Sequence, residues 1–133
     1  MNTKGIGEKS EGQVLAALLK AGKTVLMPFG DNQRYDFVVE DAGNFLRIQC
    51  KTGNMKKGSV VFPTCSSSVH RGGPRRTYEG EVDFFGVYCR ETEECYLVPI
   101  AELAGRDREA SLRVDEPKNG QKVGIRRARD FKI

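Results

Sequence analysis

Apolar positions recur along the chain in patterns that name its elements before any chemistry is considered. In "EKSEGQVLAALLKAG", residues 8 to 22, Val14, Leu15, Leu18 and Leu19 stand at helical spacing, and Gly22 occupies the place of a helix-ending glycine. An amphipathic helix is predicted. "TVLMPF" reads as a short strand or extended entry, and after the loop "GDNQR" two β-rich runs flank Asp41-Ala42-Gly43-Asn44, the turn chemistry of an antiparallel hairpin. "GSVVFPT" predicts a third sheet strand ending near Pro63. "VDFFGVYCR" and "CYLVPI" predict a further strand pair around the turn Glu91-Thr92-Glu93-Glu94. Residues 100 to 111 read as a short helix, and the Gly-containing basic tail carries no clear period.

The hairpin raises the first chemical question, because polar residues interrupt it where a buried sheet favours Val or Ile. Whether the loop is Ala42-Gly43 or all four turn residues, Asp41 falls opposite Asn44 and Glu40 opposite Phe45. Continued down the strands, this register sets Asp36 against Gln49. Alternation then sends Gln49 and Lys51 to one face and Leu46, Ile48 and Cys50 to the other. Opposed residues have Cβ atoms roughly 5 Å apart, so an anion, an amide and a cation share one cluster. The plain structural alternative is a cross-strand salt bridge between Asp36 and Lys51 on a solvated face.

A carboxylate from the first helix completes the cluster, and Glu8 and Glu11 are the candidates. Near a helix start either is also ordinary terminus chemistry. Glu11 borders the apolar stripe one turn before Val14 and Leu15, which aims it at the sheet, and it is the preferred residue.

At 133 residues the chain predicts one domain, 1–133, with room for a real core. Without repeats or a low-complexity linker, one α+β domain is the simplest architecture. No apolar run approaches the ~20 residues that span a bilayer, and the N-terminus lacks a hydrophobic signal core, so a cytoplasmic protein is expected. The four cysteines match no common zinc spacing and His70 is the single histidine, so reduced, mostly buried thiols are expected.

The formal charge is only +4, but the basic residues gather in three places: Lys51, Lys56 and Lys57; "HRGGPRRTY", with His70, Arg71, Arg75 and Arg76; and "KVGIRRARDFK", with Arg126 and Arg127. Each segment alone reads equally as a solvated loop. Together around one polar site they suit a polyanion, since Lys and Arg on phosphates supply most nucleic-acid affinity. Tyr78 beside this second cluster is a candidate base-stacking ring or a residue packed at a strand edge.

The order Glu11, Asp36, then Gln49-Cys50-Lys51 on the next strand resembles the PD-(D/E)XK nuclease superfamily. "MPFGDNQRYDFVV", "FLRIQCKTG", "HRGG", "EVDFFGVYC" and "YLVP" are similar to a small-nuclease branch that includes Holliday junction resolvases and intron-encoded homing endonucleases. The likeness covers most of residues 4 to 100. Tyr35 stands where the motif has proline, and Gln49 where most members carry Glu or Asp. The resemblance implies a restriction-endonuclease-like core, in which a mixed β-sheet flanked by helices carries the active site on an antiparallel hairpin.

It further implies a DNA endonuclease dependent on Mg2+, with Mn2+ able to substitute. Asp36 is then the central metal ligand, joined by the Cys50 backbone carbonyl. Gln49 ligates through its amide oxygen or orients a bound water, and Glu11 holds a second metal or an outer-shell water. Lys51 positions or helps deprotonate the attacking water. With no obvious recognition helix or zinc module to read a long sequence, the expected substrate is branched DNA, a four-way junction cut by a homodimer or a higher homo-oligomer. The alternatives are a site-specific homing or restriction-type endonuclease and a catalytically inactive DNA-binding module. Lys56, Lys57, His70, Arg71, Arg75, Arg76, Arg126 and Arg127 are the expected DNA contacts.

Overall fold

The computed structural model describes residues 2–30, 32–66, 77–106, 108–116 and 124–133. Helix α1 runs Thr3–Lys20 and begins well ahead of Glu8. The Asn2 side chain caps it, its Oδ1 accepting from the Gly5 amide at 2.9 Å. Gly5 and Gly7 carry no apolar signal, which is why the pattern alone starts the helix too late. Glu8 and Glu11 therefore lie inside the helix, and the dipole explanation for them fails. At the other end Gly22 has φ +80°, and the Gly22 and Lys23 amides donate to Leu19 O and Leu18 O, a Schellman closure. Val14 and Leu18 are buried, but Leu19 is exposed.

Strand β1 (Thr24–Leu26) pairs antiparallel with β2 (Phe37–Asp41), and β2 with β3 (Asn44–Lys56). The β2–β3 register is the expected one, Asp41 opposite Asn44 through Phe37 opposite Ile48. Ala42 (φ +50°) and Gly43 (φ +84°) form a two-residue turn whose left-handed backbone matches the strand twist. Lys57 and Gly58 make a second such turn into β4 (Ser59–Pro63). β5 (Phe84–Cys89) runs parallel to β3, and β6 (Cys95–Pro99) pairs antiparallel with β5. The result is a mixed sheet, with the flanking supplied among the described residues by α1 and short 3-10 turns.

The region expected as a helix over residues 100 to 111 is instead a single 3-10 turn, Ile100–Leu103, followed by β7 (Glu109–Arg113), which pairs with β4. In "EASLR" Ala110 and Leu112 point inward, a period of two too short to stand out from sequence. The tail closes the opposite edge: Leu97 N–H donates to Phe131 O and Ile133 N–H to Cys95 O.

Two apolar layers hold the sheet. Val14 and Leu18 of α1 meet Phe37, Val39, Ile48, Tyr88 and Cys95 on one face. On the other, Val60, Phe62, Phe85, Val87, Val98 and Leu112 form the larger core. A fully buried side chain of this size contributes about 1.5–3 kcal/mol relative to exposure. Gly86 lets the helix settle closely, since a Cβ there would stand 2.7 Å from Val14 Cγ1. No helix among the described residues is long and apolar enough to cross a membrane. All four cysteines are free thiols.

Candidate active site

The site follows from how β3 changes partners. β2 pairs with it only as far as Ile48, and β4 takes over only at Asn54. Between them one edge of β3 is open. Ile48 O on this edge accepts from the Asp36 amide at 2.8 Å, and two residues on, Cys50 presents its own backbone groups to the same side. The Cys50 amide donates to Asp36 Oδ2 at 2.8 Å, and Gln49 Nε2 stands 3.4 Å from Cys50 O. Asp36 thus lies just ahead of β2, against the Gln49–Cys50 step as the register predicts.

Glu11 joins the pair from α1. A hydrogen bond of 2.6 Å between Ser10 Oγ and Thr52 Oγ1 ties the helix to β3 beside it. Burial raises the Glu11 carboxyl above its ordinary range, and the Asp36 and Glu8 charges push it the same way. The Asp36 pKa is raised too, by burial, against the lowering effects of the Cys50 hydrogen bonds and the Lys51 charge. Burial, then Asp36 and Glu11, force the Cys50 thiol far upward, so it stays neutral.

Lys51 is buried and forms no ion pair with Asp36 among the described residues, although the two charges act on each other, so the simple cross-strand salt bridge is absent. Its Nζ donates to Tyr78 Oη at 3.0 Å and to Cys65 O at 3.1 Å. Burial is the main reason its pKa drops to about 8, and the Arg34 charge adds to the drop. Tyr78 is 6% exposed, and its ring carries the Arg34 guanidinium 3.9 Å from its centroid. It is a packed support for Lys51, not a surface platform for a base. Arg34 and Tyr78 were not among the expected site residues: Arg34 lies in the loop before Asp36, and Tyr78 is brought in from 27 residues along the chain.

Two carboxylates and a backbone carbonyl are oxygen donors of the kind a hard divalent cation takes. No three His, Cys, Asp or Glu side chains gather into a metal-holding group among the described residues, this site included. The Asp36 charge adds to the rise of the Glu11 carboxyl, and two of the three Lys51 donors are taken by Tyr78 and Cys65 O.

Of the expected DNA contacts, Lys56 and Lys57 are exposed at the end of β3 and in the following turn. Arg126 is half-buried, its Nε donating to Glu102 O at 2.9 Å, and Arg127 pairs with Glu116 at 3.4 Å. His70, Arg71, Arg75 and Arg76 lie outside the described residues.

No curated protein matches this sequence. A solved structure described as a bacterial homing endonuclease, I-Ssp6803I, superposes with a TM-score of 0.76 at 27% sequence identity, over 99% of this chain and 89% of that one. The fold is accordingly restriction-endonuclease-like. The family pattern described as PD-(D/E)XK endonuclease matches residues 1–133 from end to end, and with the helix–strand–strand geometry above, the chain belongs to that family of nucleases.

Proposed function

We infer that this nuclease is a divalent-metal-dependent DNA endonuclease, one catalytic domain over residues 1–133, cutting duplex DNA at a specific site. The observation that carries the chemistry is the open edge of β3, where Asp36 and the Cys50 carbonyl share one side and Glu11 adds a second carboxylate. Similarity to a homing endonuclease favours sequence-specific duplex cleavage over junction resolution.

Asp36, Cys50 O, Gln49 and Glu11 would hold Mg2+, which polarises the phosphoryl oxygens and activates water when bound. Ligation through Gln49 Oε1 requires its amide turned end for end, since Nε2 now faces Cys50 O. The Asp36 carboxylate keeps the Cys50 carbonyl aimed at the site by holding the amide of the same residue. Lys51, anchored from behind by Tyr78 and Cys65 O, positions the attacking water and offsets charge on the scissile phosphate. Two copies acting together would cut both strands, in the DNA-containing compartment of the cell.

The test presents wild type, Asp36→Asn and Lys51→Ala with Mg2+ to a four-way junction and to a duplex library with a randomised segment. Selection of one cleaved sequence, absent from both variants, supports the site-specific reading. Paired nicks at the junction alone would replace it with a resolvase. Tight binding with no cleavage of either substrate would leave an inactive DNA-binding module.

A further inference from the structure

The outer face of the β4–β7 ladder is a basic concavity that the nuclease chemistry does not use. Its rows follow from register: Lys56, Ser59 and Arg113 stand side by side, and Asn54, Val61 and Ser111 form the next row. Val60, Phe62, Ala110 and Leu112 point to the core, so the outward floor consists of small side chains, Ser59, Val61 and Ser111. Lys56, Lys57, Arg106, Arg113 and Arg126 rim a space of about 340 Å³ over this floor.

The cations meet few anions. Arg113 donates to the carbonyls of Lys57 and Asp115, both at 3.1 Å, and Arg126 to the carbonyl of Glu102. These acceptors fix the two guanidiniums without neutralising them. Glu109 is the one acid lining the concavity among the described residues, and Asp115 lies beside it at Gly58. Among the described residues none of the five rim cations is ion-paired. A shallow, positive, small-floored surface suits a run of phosphates, which need close approach and no base contact.

We propose that this β4–β7 face is a phosphate track that carries the duplex flanking the cleaved site. The inference rests on the nuclease reading and gives it a direction. β3 runs unbroken from Gln49 to Lys56, seven residues or about 23 Å of extended chain, which is the axial length of about seven base pairs. The track therefore holds DNA beyond the bases next to the cut.

The experiment uses the full chain without metal and a 30-base-pair duplex of arbitrary sequence, with affinity measured over a series of KCl concentrations. Lys56→Gln/Lys57→Gln/Arg106→Gln removes three exposed rim charges and leaves the two carbonyl-held arginines in place. If each charge contacts one phosphate, the log–log salt slope falls by about 0.9 per contact, up to about 2.7 in all. Equal slopes for the two proteins on the duplex would overturn the track while leaving the nuclease reading intact. Failure of the wild type to bind the duplex, with no cleavage of any DNA once Mg2+ is added, would overturn both. Saturable binding of inorganic phosphate, lost in the variant, would make the concavity a small-anion site and also overturn the track.

Discussion

Nζ of Lys51 and Oη of Tyr78 meet at 3.0 Å across a buried gap, and Arg34 stacks on the same ring. Tyr78→Phe keeps the ring and removes the acceptor. If Lys51 acts as proposed, loosening its ammonium costs on the order of 10-fold in rate, so single-turnover cleavage should slow by about that factor. DNA affinity should stay within about 2-fold, because the ring never reaches the surface. An unchanged cleavage rate would remove Tyr78 from the machinery.

Gly86 is the contact point between α1 and the sheet. In Gly86→Ala the new methyl would stand 2.7 Å from Val14 Cγ1 and 3.2 Å from Ile48 Cγ2, both in a packed layer. Overpacking of this kind costs about 1–3 kcal/mol, readable as a lower urea midpoint. Because α1 also carries Glu11, activity at a temperature where the variant is fully folded should fall as well.

Ala42 adopts φ +50°, a conformation that an L side chain occupies at a cost. Ala42→Gly or Ala42→Asn should raise stability by about 0.5–1 kcal/mol, since both residues suit the first position of this turn. A fall in melting temperature would show that Ala42 packs usefully.

Asp83 and Arg47 give a pH signature in stability. Arg47 holds the Asp83 carboxyl below its usual range, through a side-chain contact of 3.2 Å and the Arg47 amide at 2.8 Å. A depressed folded-state pKa adds stability that is complete above the unfolded value of about 3.9 and is lost as pH falls through the folded one. Both side chains are more than a third exposed, so solvent screening limits the gain to under about 1 kcal/mol. Asp83→Asn should be slightly less stable than wild type at pH 7 and indistinguishable near pH 2 by urea denaturation.

Much of this site was legible in the sequence because it is local. Asp36, Gln49, Cys50 and Lys51 sit on one hairpin, whose register follows from its turn, and the observed Phe37–Ile48 pairing is the counted one. Glu11 was reachable because helical spacing places it beside Val14. What escaped depends on long-range packing: Tyr78 reaches Lys51 only through the tertiary fold, and β7 becomes a strand by pairing with β4. The helix start was obscured by glycines that capping and packing override. The depth of Lys51 escaped too, because its contacts with Tyr78 and Cys65 O are invisible to a count of residues along a strand.

The open edge of β3 has a consequence for solubility. A stretch of strand without a neighbour is a template on which another chain can add, and this one lies in the middle of a long strand, where no terminal proline or bulge guards it. Asp36 does the guarding: its carboxylate occupies the Cys50 amide, and a strand docking there would have to bury that charge unpaired. The proposed metal ligand would then also guard the protein against edge-to-edge association. An inactive form meant for capture with uncut DNA is therefore better made as Asp36→Asn, which retains an oxygen for the Cys50 amide, than as Asp36→Ala, which exposes the edge.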